Sequence, residues 1–154
     1  MQKTLGSWTD NKEDEKAVDV WIDGLCEPNP NGIGCVGYVI RDNGVTIARG
    51  SYVVGKGAGM TNNVAEYQGL IYALREIRRL KMDDRLFLIR SDSELLVKQM
   101  KRIMQVKAPS LRPLYAIAKD LVKGLHYRIE WIPREENEEA DGLTRLAFEG
   151  ASRV

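Results

Sequence analysis

NNVAEYQGLIYALREIRRLKMDDRLFLIRSDSELLVKQM, residues 62–100, changes its hydrophobic rhythm twice, and those changes decide the fold class. From Asn62 to Lys81 the apolar positions Leu70, Ala73, Ile77 and Leu80 recur at helical spacing, with no proline and one glycine, which predicts a helix. Leu86-Phe87-Leu88-Ile89 is then short and continuously apolar, as a strand buried on both faces requires. A second helical segment, Leu95 to Met104, follows at once. Upstream, Val18–Ile22, Cys35–Arg41 and Val45–Val54 read as strands, and Asp42-Asn43-Gly44 between the last two supplies the Asn-Gly turn of an antiparallel hairpin. Downstream, Pro109 opens a helix with Leu114, Ile117, Ala118, Leu121 and Val122 on one stripe and Gly124 as its stop. His126 to Ile132 alternates like a strand that Pro133 ends, and Asn137 to Phe148 reads as a final helix with Ala140, Leu143, Thr144 and Ala147 inward. The expectation is an α/β protein: a five-stranded mixed sheet, its first three strands an antiparallel meander, with helices on both faces.

At 154 residues and 44% hydrophobic content the chain has the size of one domain, expected over residues 17–150. Residues 1–16 are polar, with mixed charge and no sustained period, and read as a flexible tail. Lys and Arg total 23 against 22 acids, a net charge of +1, so any nucleic-acid binding has to be local. No apolar stretch approaches the roughly 20 residues of a membrane span and no signal-peptide core is present, so a cytoplasmic protein without a membrane partner is expected. Cys26 and Cys35 lack a paired-thiol spacing and a neighbouring His, which argues against a disulfide framework or a zinc site.

The informative anomaly is four acids placed at the ends or inner faces of apolar elements. Asp23 ends the first strand, Glu66 shares the helical stripe of Leu70, Ala73 and Ile77, Asp92 ends the Leu86–Ile89 strand, and Asp141 lies early in the last helix. Gathered and partly desolvated carboxylates cost several kcal/mol unless cations neutralise them. Each also has a plainer use: Asp23 before Gly24 as a turn residue, Asp92 as a helix cap, Asp141 as a partner of the helix dipole. Glu66 resists such a use, because a lone Glu on a buried stripe is rare unless paired. Strand ends converge at one edge of an α/β sheet, the place where sites form.

Four blocks carry a resemblance: Asp23-Gly24-Leu25-Cys26-Glu27-Pro28-Asn29-Pro30, Thr61-Asn62-Asn63-Val64-Ala65-Glu66-Tyr67, Ser91-Asp92-Ser93, and Trp131-Ile132-Pro133-Arg134-Glu135-Glu136-Asn137-Glu138-Glu139-Ala140-Asp141. From Val18 to Phe148 the chain resembles type 1 ribonuclease H, most closely its archaeal-type branch, and hence a ribonuclease H-like fold. The resemblance implies an endonuclease that hydrolyses the RNA strand of RNA/DNA hybrids, leaving 5′-phosphate and 3′-hydroxyl ends. Its metal site falls on Asp23, Glu66, Asp92 and Asp141. Two Mg²⁺ ions about 3.5–4 Å apart, with Mn²⁺ as a substitute, suit such an all-oxygen set and would offset its four negative charges. Asn29, Asn62, Asn63 and the backbone near Cys26 match positions that reach ribose 2′-hydroxyls, and Thr61 matches part of a phosphate pocket. For Asn29 and Asn62, ordinary turn and cap chemistry stands beside that role.

The family His before the last Asp is replaced by Pro133-Arg134-Glu135-Glu136, and the single His126 lies on the predicted strand, where a structural role is expected. Arg134 matches an archaeal-type arginine; a guanidinium stays protonated, so the expected role is a phosphate contact. Glu94 stands where relatives carry a groove-reading Gln, and a Ser91-x-x-Glu94 capping box is the alternative. Lys98, Lys101 and Arg102, followed by Lys107 and Arg112, offer a cationic flank for the DNA strand, whereas Arg75, Arg78, Arg79 and Lys81 read as complements of a helix dipole. Trp21 and Trp131 read as packing residues. A nuclease acting on double-stranded RNA and a catalytically inert hybrid-binding module are the competing functions, and a monomer is expected.

Overall fold

Val18, Val20 and Ile22 alternate with Asp19, Trp21 and Asp23, so strand β1 (Val18–Glu27) divides its side chains between two faces. In the computed structural model, which describes residues 16–153, β1 is the centre of a five-stranded sheet ordered β3-β2-β1-β4-β5. β2 (Ile33–Asp42) pairs antiparallel with β1 and with β3 (Val45–Lys56). β4 (Phe87–Ser91) pairs parallel with β1, and β5 (Tyr127–Trp131) parallel with β4. The meander and the mixed sheet are therefore as expected. Asn43 and Gly44 have φ of 53° and 80°, the left-handed pair that a two-residue hairpin turn needs.

One face carries the main core. Helix α1 (Asn62–Leu80) starts where Thr61 Oγ1 accepts a hydrogen bond from the Val64 amide at 3.1 Å. It lays Leu70, Ala73, Leu74 and Ile77 against Val20, Ile22, Phe87 and Ile89, all fully buried. Each such aliphatic side chain contributes about 1.5–3 kcal/mol of transfer free energy, which fixes the helix on the sheet. Helices α2 (Glu94–Met100) and α3 (Arg112–Leu121) complete this side, and Arg78 Nε of α1 donates to the Leu121 carbonyl at 3.0 Å, serving the C-terminal end of α3. Helix α4 (Glu138–Ser152) packs on the other face, over β1, β2 and β3, where Ser51 Oγ donates to the Leu143 carbonyl at 2.6 Å. Among the described residues no helix is long and apolar enough to cross a membrane.

Five features depart from expectation. The first strand, expected to stop at Ile22 with Asp23 ending it, runs on to Glu27, because β2 goes on pairing with it; Asp23 lies inside β1, directly after the last residue paired with β4. The helix expected over Leu95–Met104 ends at Met100, because Arg102 turns into the left-handed region at φ 63°. The next helix opens at Arg112 with Pro113 in its first turn, not at Pro109. The last helix runs on to Ser152. The Ser91–Glu94 capping box does not form: Ser93 is the cap, its Oγ accepting from the Leu96 amide at 3.2 Å, while Ser91 Oγ accepts from the Ser93 amide at 3.0 Å. The expected tail, residues 1–16, lies outside the described residues except for Lys16.

Candidate active site

Parallel register assembles the site. Ile22 of β1 is opposite Ser91 of β4, so the residues that follow them, Asp23 and Asp92, come side by side at the carboxyl edge of the sheet. Glu66 is brought to the same place by the approach of α1. A Cβ on Gly24 would lie 2.3 Å from the Ala65 carbonyl, and one on Gly69 would lie 2.5 Å from the Asp23 carbonyl oxygen. Two missing side chains thus let helix and strand backbones touch, and the glutamate reaches Asp23.

Asp23, Glu66 and Asp92 each present a carboxylate oxygen within 4.8 Å of the others. Asp23 is buried, its Oδ1 accepting from the Gly24 amide at 2.9 Å. Burial, and secondarily the charge of Asp92, pushes its carboxyl up to about 8. Glu66 is raised well above the ordinary glutamate range by burial and then by Asp23 and Asp92. Although Glu66 as a residue is half-buried, its Oε1 is sealed from water and has no hydrogen-bond partner. Asp92 is raised by burial, against the opposing pull of the Asn137 hydrogen bond and the Arg134 charge. Three crowded acids, one with an orphaned buried oxygen, fit a hard divalent cation: the donors are all oxygen, and the cation would offset both the burial of their charge and their mutual repulsion.

Asp141, Arg134 and Arg145 line the same cleft of about 400 Å³. Asp141 stands outside the three-acid set, its Oδ2 accepting from Arg145 Nε at 3.2 Å, but its charge adds to the elevation of Asp23. Arg134 is exposed on the short 3-10 turn Arg134–Glu136, on the rim beside Asp92. One residue that sequence reasoning missed belongs here. Asn137 is fully buried, and its Nδ2 donates both to the Ile22 carbonyl at 2.8 Å and to Asp92 Oδ2 at 3.2 Å, tying the α4 start to β1 and to the acid of β4.

The expected ribose-facing residues form a relay. Asn29 Oδ1 accepts from the Asn62 amide at 3.1 Å, and Asn62 Oδ1 accepts from the Cys26 amide at 2.8 Å. Asn29, Asn62 and Cys26 line the acidic cleft, and Asn29, Thr61, Asn62 and Asn63 line an adjoining one of about 480 Å³. The cationic flank is less open than its sequence implied. Lys98 pairs with Glu94 at 3.2 Å and Lys101 with Glu130 at 3.0 Å, while Arg102 lines a separate cleft with Lys107 and Arg112. Glu94 points into solvent and does not line the acidic cleft. His126 lies just before β5, at the edge of the sheet opposite Asp92. Trp131 is a correction: it is half exposed, its indole donating to the Asp92 carbonyl at 3.2 Å, because it sits at the last paired position of an edge strand.

Residues 22–147 match the family described as Reverse transcriptase-like. The Ribonuclease HI of Halobacterium salinarum is 35% identical over 136 residues, which are 87% of this chain and 65% of that protein. A bifunctional protein of Mycobacterium tuberculosis is 35% identical over 127 residues, 82% of this chain and 33% of its own length. LC11-RNase H1, solved in complex with an RNA/DNA hybrid, superposes with a TM-score of 0.80 at 34% identity, covering 87% of this chain and 98% of that one. The chain belongs to the Reverse transcriptase-like family and, within it, to the type 1 ribonucleases H. It spans about a third of the length of the mycobacterial relatives it matches.

Proposed function

We propose that the protein is an endonuclease that hydrolyses the RNA strand of RNA/DNA hybrids, leaving 5′-phosphate and 3′-hydroxyl ends, and that it acts as a monomer. The observation that carries the reading is the set of three carboxylate oxygens within 4.8 Å, with Glu66 Oε1 buried and unpartnered. Its substrate is supported by a relative of the same fold solved on such a hybrid. Asp23, Glu66, Asp92 and Asp141 would hold two divalent cations, Mg²⁺ or Mn²⁺. When bound, these supply an acidified water, charge neutralisation and stabilisation of the leaving oxygen.

The chain's own residues have separable tasks. Asn137 fixes the Asp92 carboxylate against the Ile22 carbonyl, so one ligand is oriented before substrate arrives. Arg134, on the rim, meets a phosphate and holds it as a fixed cation. The Asn29–Asn62–Cys26 relay locks the side chain of Asn62 between strand end and helix start, beside a cleft that takes the ribose edge of the RNA strand.

The test is cleavage of end-labelled hybrid, duplex RNA and duplex DNA, each with Mg²⁺ and with EDTA. Mg²⁺-dependent cutting confined to the RNA strand of the hybrid is expected, and Asp92→Asn should remove it. Preference for duplex RNA would replace the substrate assignment. Undiminished cutting by Asp92→Asn would overturn the site.

A further inference from the structure

Gln99 is a polar side chain among the core residues of α2: it is 3% exposed, and its neighbours Val97 and Met100 are buried in the main core. A buried amide has to be paired on both sides, and here both partners are in place. The hydroxyl of Tyr67, fully buried on α1, donates to Gln99 Oε1 at 2.7 Å, and Gln99 Nε2 donates to the Gln105 carbonyl at 3.2 Å. A carbonyl only accepts, so Gln105 fixes which way round the amide lies and leaves the hydroxyl as the donor. Tyr67 directly follows Glu66, so one helix sets both the buried acid and this pair.

What the pair holds is the segment 101–111 between α2 and α3. It turns away from α2 at Arg102, and residues 101–105 are exposed, Ile103 at 70% and Met104 at 42%. Arg112 Nε adds a longer, exposed tie to the Val106 carbonyl at 3.4 Å. Ile103 and Met104 are adjacent large apolar side chains outside the core, and both wall a cleft of about 620 Å³ whose other residues include Asn63, Leu95 and Leu111. An apolar cleft with a few polar groups is the usual form of a ligand surface. This one meets the ribose-facing cleft at Asn63, Ala108 and Leu111, and that cleft meets the acidic one at Asn29 and Asn62. A continuous trough therefore runs from the carboxylates to Ile103 and Met104.

We infer that Gln99 is a positioning residue for the hybrid: through the Gln105 carbonyl it holds Ile103 and Met104 at the far end of the trough, where their side chains pack on the apolar sugar faces of the bound duplex. The inference takes its ligand from the function proposed above and depends on no metal ion.

The test compares the full chain with Gln99→Met, which keeps the bulk and removes both hydrogen bonds, and with Ile103→Ser and Met104→Ser, which alter only exposed side chains. On an RNA/DNA hybrid with Mg²⁺, each variant should raise KM at least about fivefold and leave kcat within about twofold. Hydrogen exchange separates the roles: the amides of residues 103–107 should exchange about tenfold faster in Gln99→Met and at the unaltered rate in the serine variants. Because the serine variants leave the core intact, loss of the fold cannot explain their KM. An unchanged KM in both serine variants, a fall in kcat at constant KM in Gln99→Met, or a raised KM in Gln99→Met with the loop amides still protected would overturn the inference. Should the unaltered chain cut no hybrid, the proposed function fails separately, and the same variants are compared by the anisotropy of a fluorescein-labelled hybrid; equal Kd values, or no binding, then overturn the inference as well.

Discussion

Replacing Asp23 by Asn should destroy catalysis and, in the absence of metal, make the protein more stable. The Asp23 carboxyl is held at about 8 in the fold against 3.8 for the unperturbed group, so the folded state binds its proton more tightly than the unfolded chain does. The contribution of this group to stability is therefore fully present below pH 3.8 and is lost as pH rises towards 8, by about 1.4 kcal/mol per pH unit between those limits. If Asp23 titrated alone the cost at pH 7 would be about 4 kcal/mol; sharing the proton with Glu66 and Asp92 lowers the expected gain of Asp23→Asn to about 1–3 kcal/mol. The gain should shrink to roughly half a kcal/mol or less near pH 4, where the group is protonated in the fold and close to half protonated in the unfolded chain. Urea unfolding in EDTA at pH 4 and pH 7, repeated with saturating Mg²⁺ at pH 7, measures it, with an unchanged m-value as the control. Mg²⁺ should stabilise the unaltered protein more than the variant. A stability gain equal at both pH values, or a loss at pH 7, would refute the electrostatic account of the cluster.

Other consequences are independent of that one. Asn137→Ala leaves the Ile22 carbonyl without its buried donor and frees Asp92, so it should cost about 1–3 kcal/mol by urea unfolding and weaken Mg²⁺ binding measured calorimetrically. Arg134→Ala should slow hybrid cleavage while leaving calorimetric Mg²⁺ affinity within about twofold, because the guanidinium is on the rim and ligates nothing. Gly24→Ala forces a methyl group into the Ala65 backbone; a loss of more than about 3 kcal/mol, or misfolding seen by circular dichroism, is expected.

The fold and the acidic triad were legible because both rest on violations or repetitions of pattern. A glutamate on the stripe of Leu70, Ala73 and Ile77 has no apolar reason to be there, and Asp23 and Asp92 follow the last paired residues of two strands whose parallel pairing follows from the intervening helix. Asn137 was not legible, because an Asn before Glu138 and Glu139 reads as an ordinary helix cap. It occupies the cap position but makes no cap hydrogen bond, its amide being spent on β1 and Asp92 instead. The early end of α2 was hidden because Lys101-Arg102-Ile103-Met104 contains no glycine or proline; the left-handed turn at Arg102 is closed by the Ile103 and Met104 amides, which donate back to the Lys98 carbonyl at 2.9 and 3.2 Å. Pro109 reads as the helix start, whereas the helix begins at Arg112 with Pro113 in its first turn, a position proline suits as well. Salt pairing of Lys98 and Lys101 likewise depends on neighbours across space or across a helical turn that composition counts as free charge.

The parallel union of β1 with β4 joins residues about seventy positions apart, whereas the β2–β3 hairpin closes over two. Local turns form early and long loops close late, so the hairpin can exist in chains where Asp23 and Asp92 are still strangers. Their meeting brings like charges together, and that repulsion is set against the pairing of β1 with β4. A chain that holds only the hairpin has no acidic cluster at all, since Asp23 and Asp92 come together only through the pairing of β1 with β4.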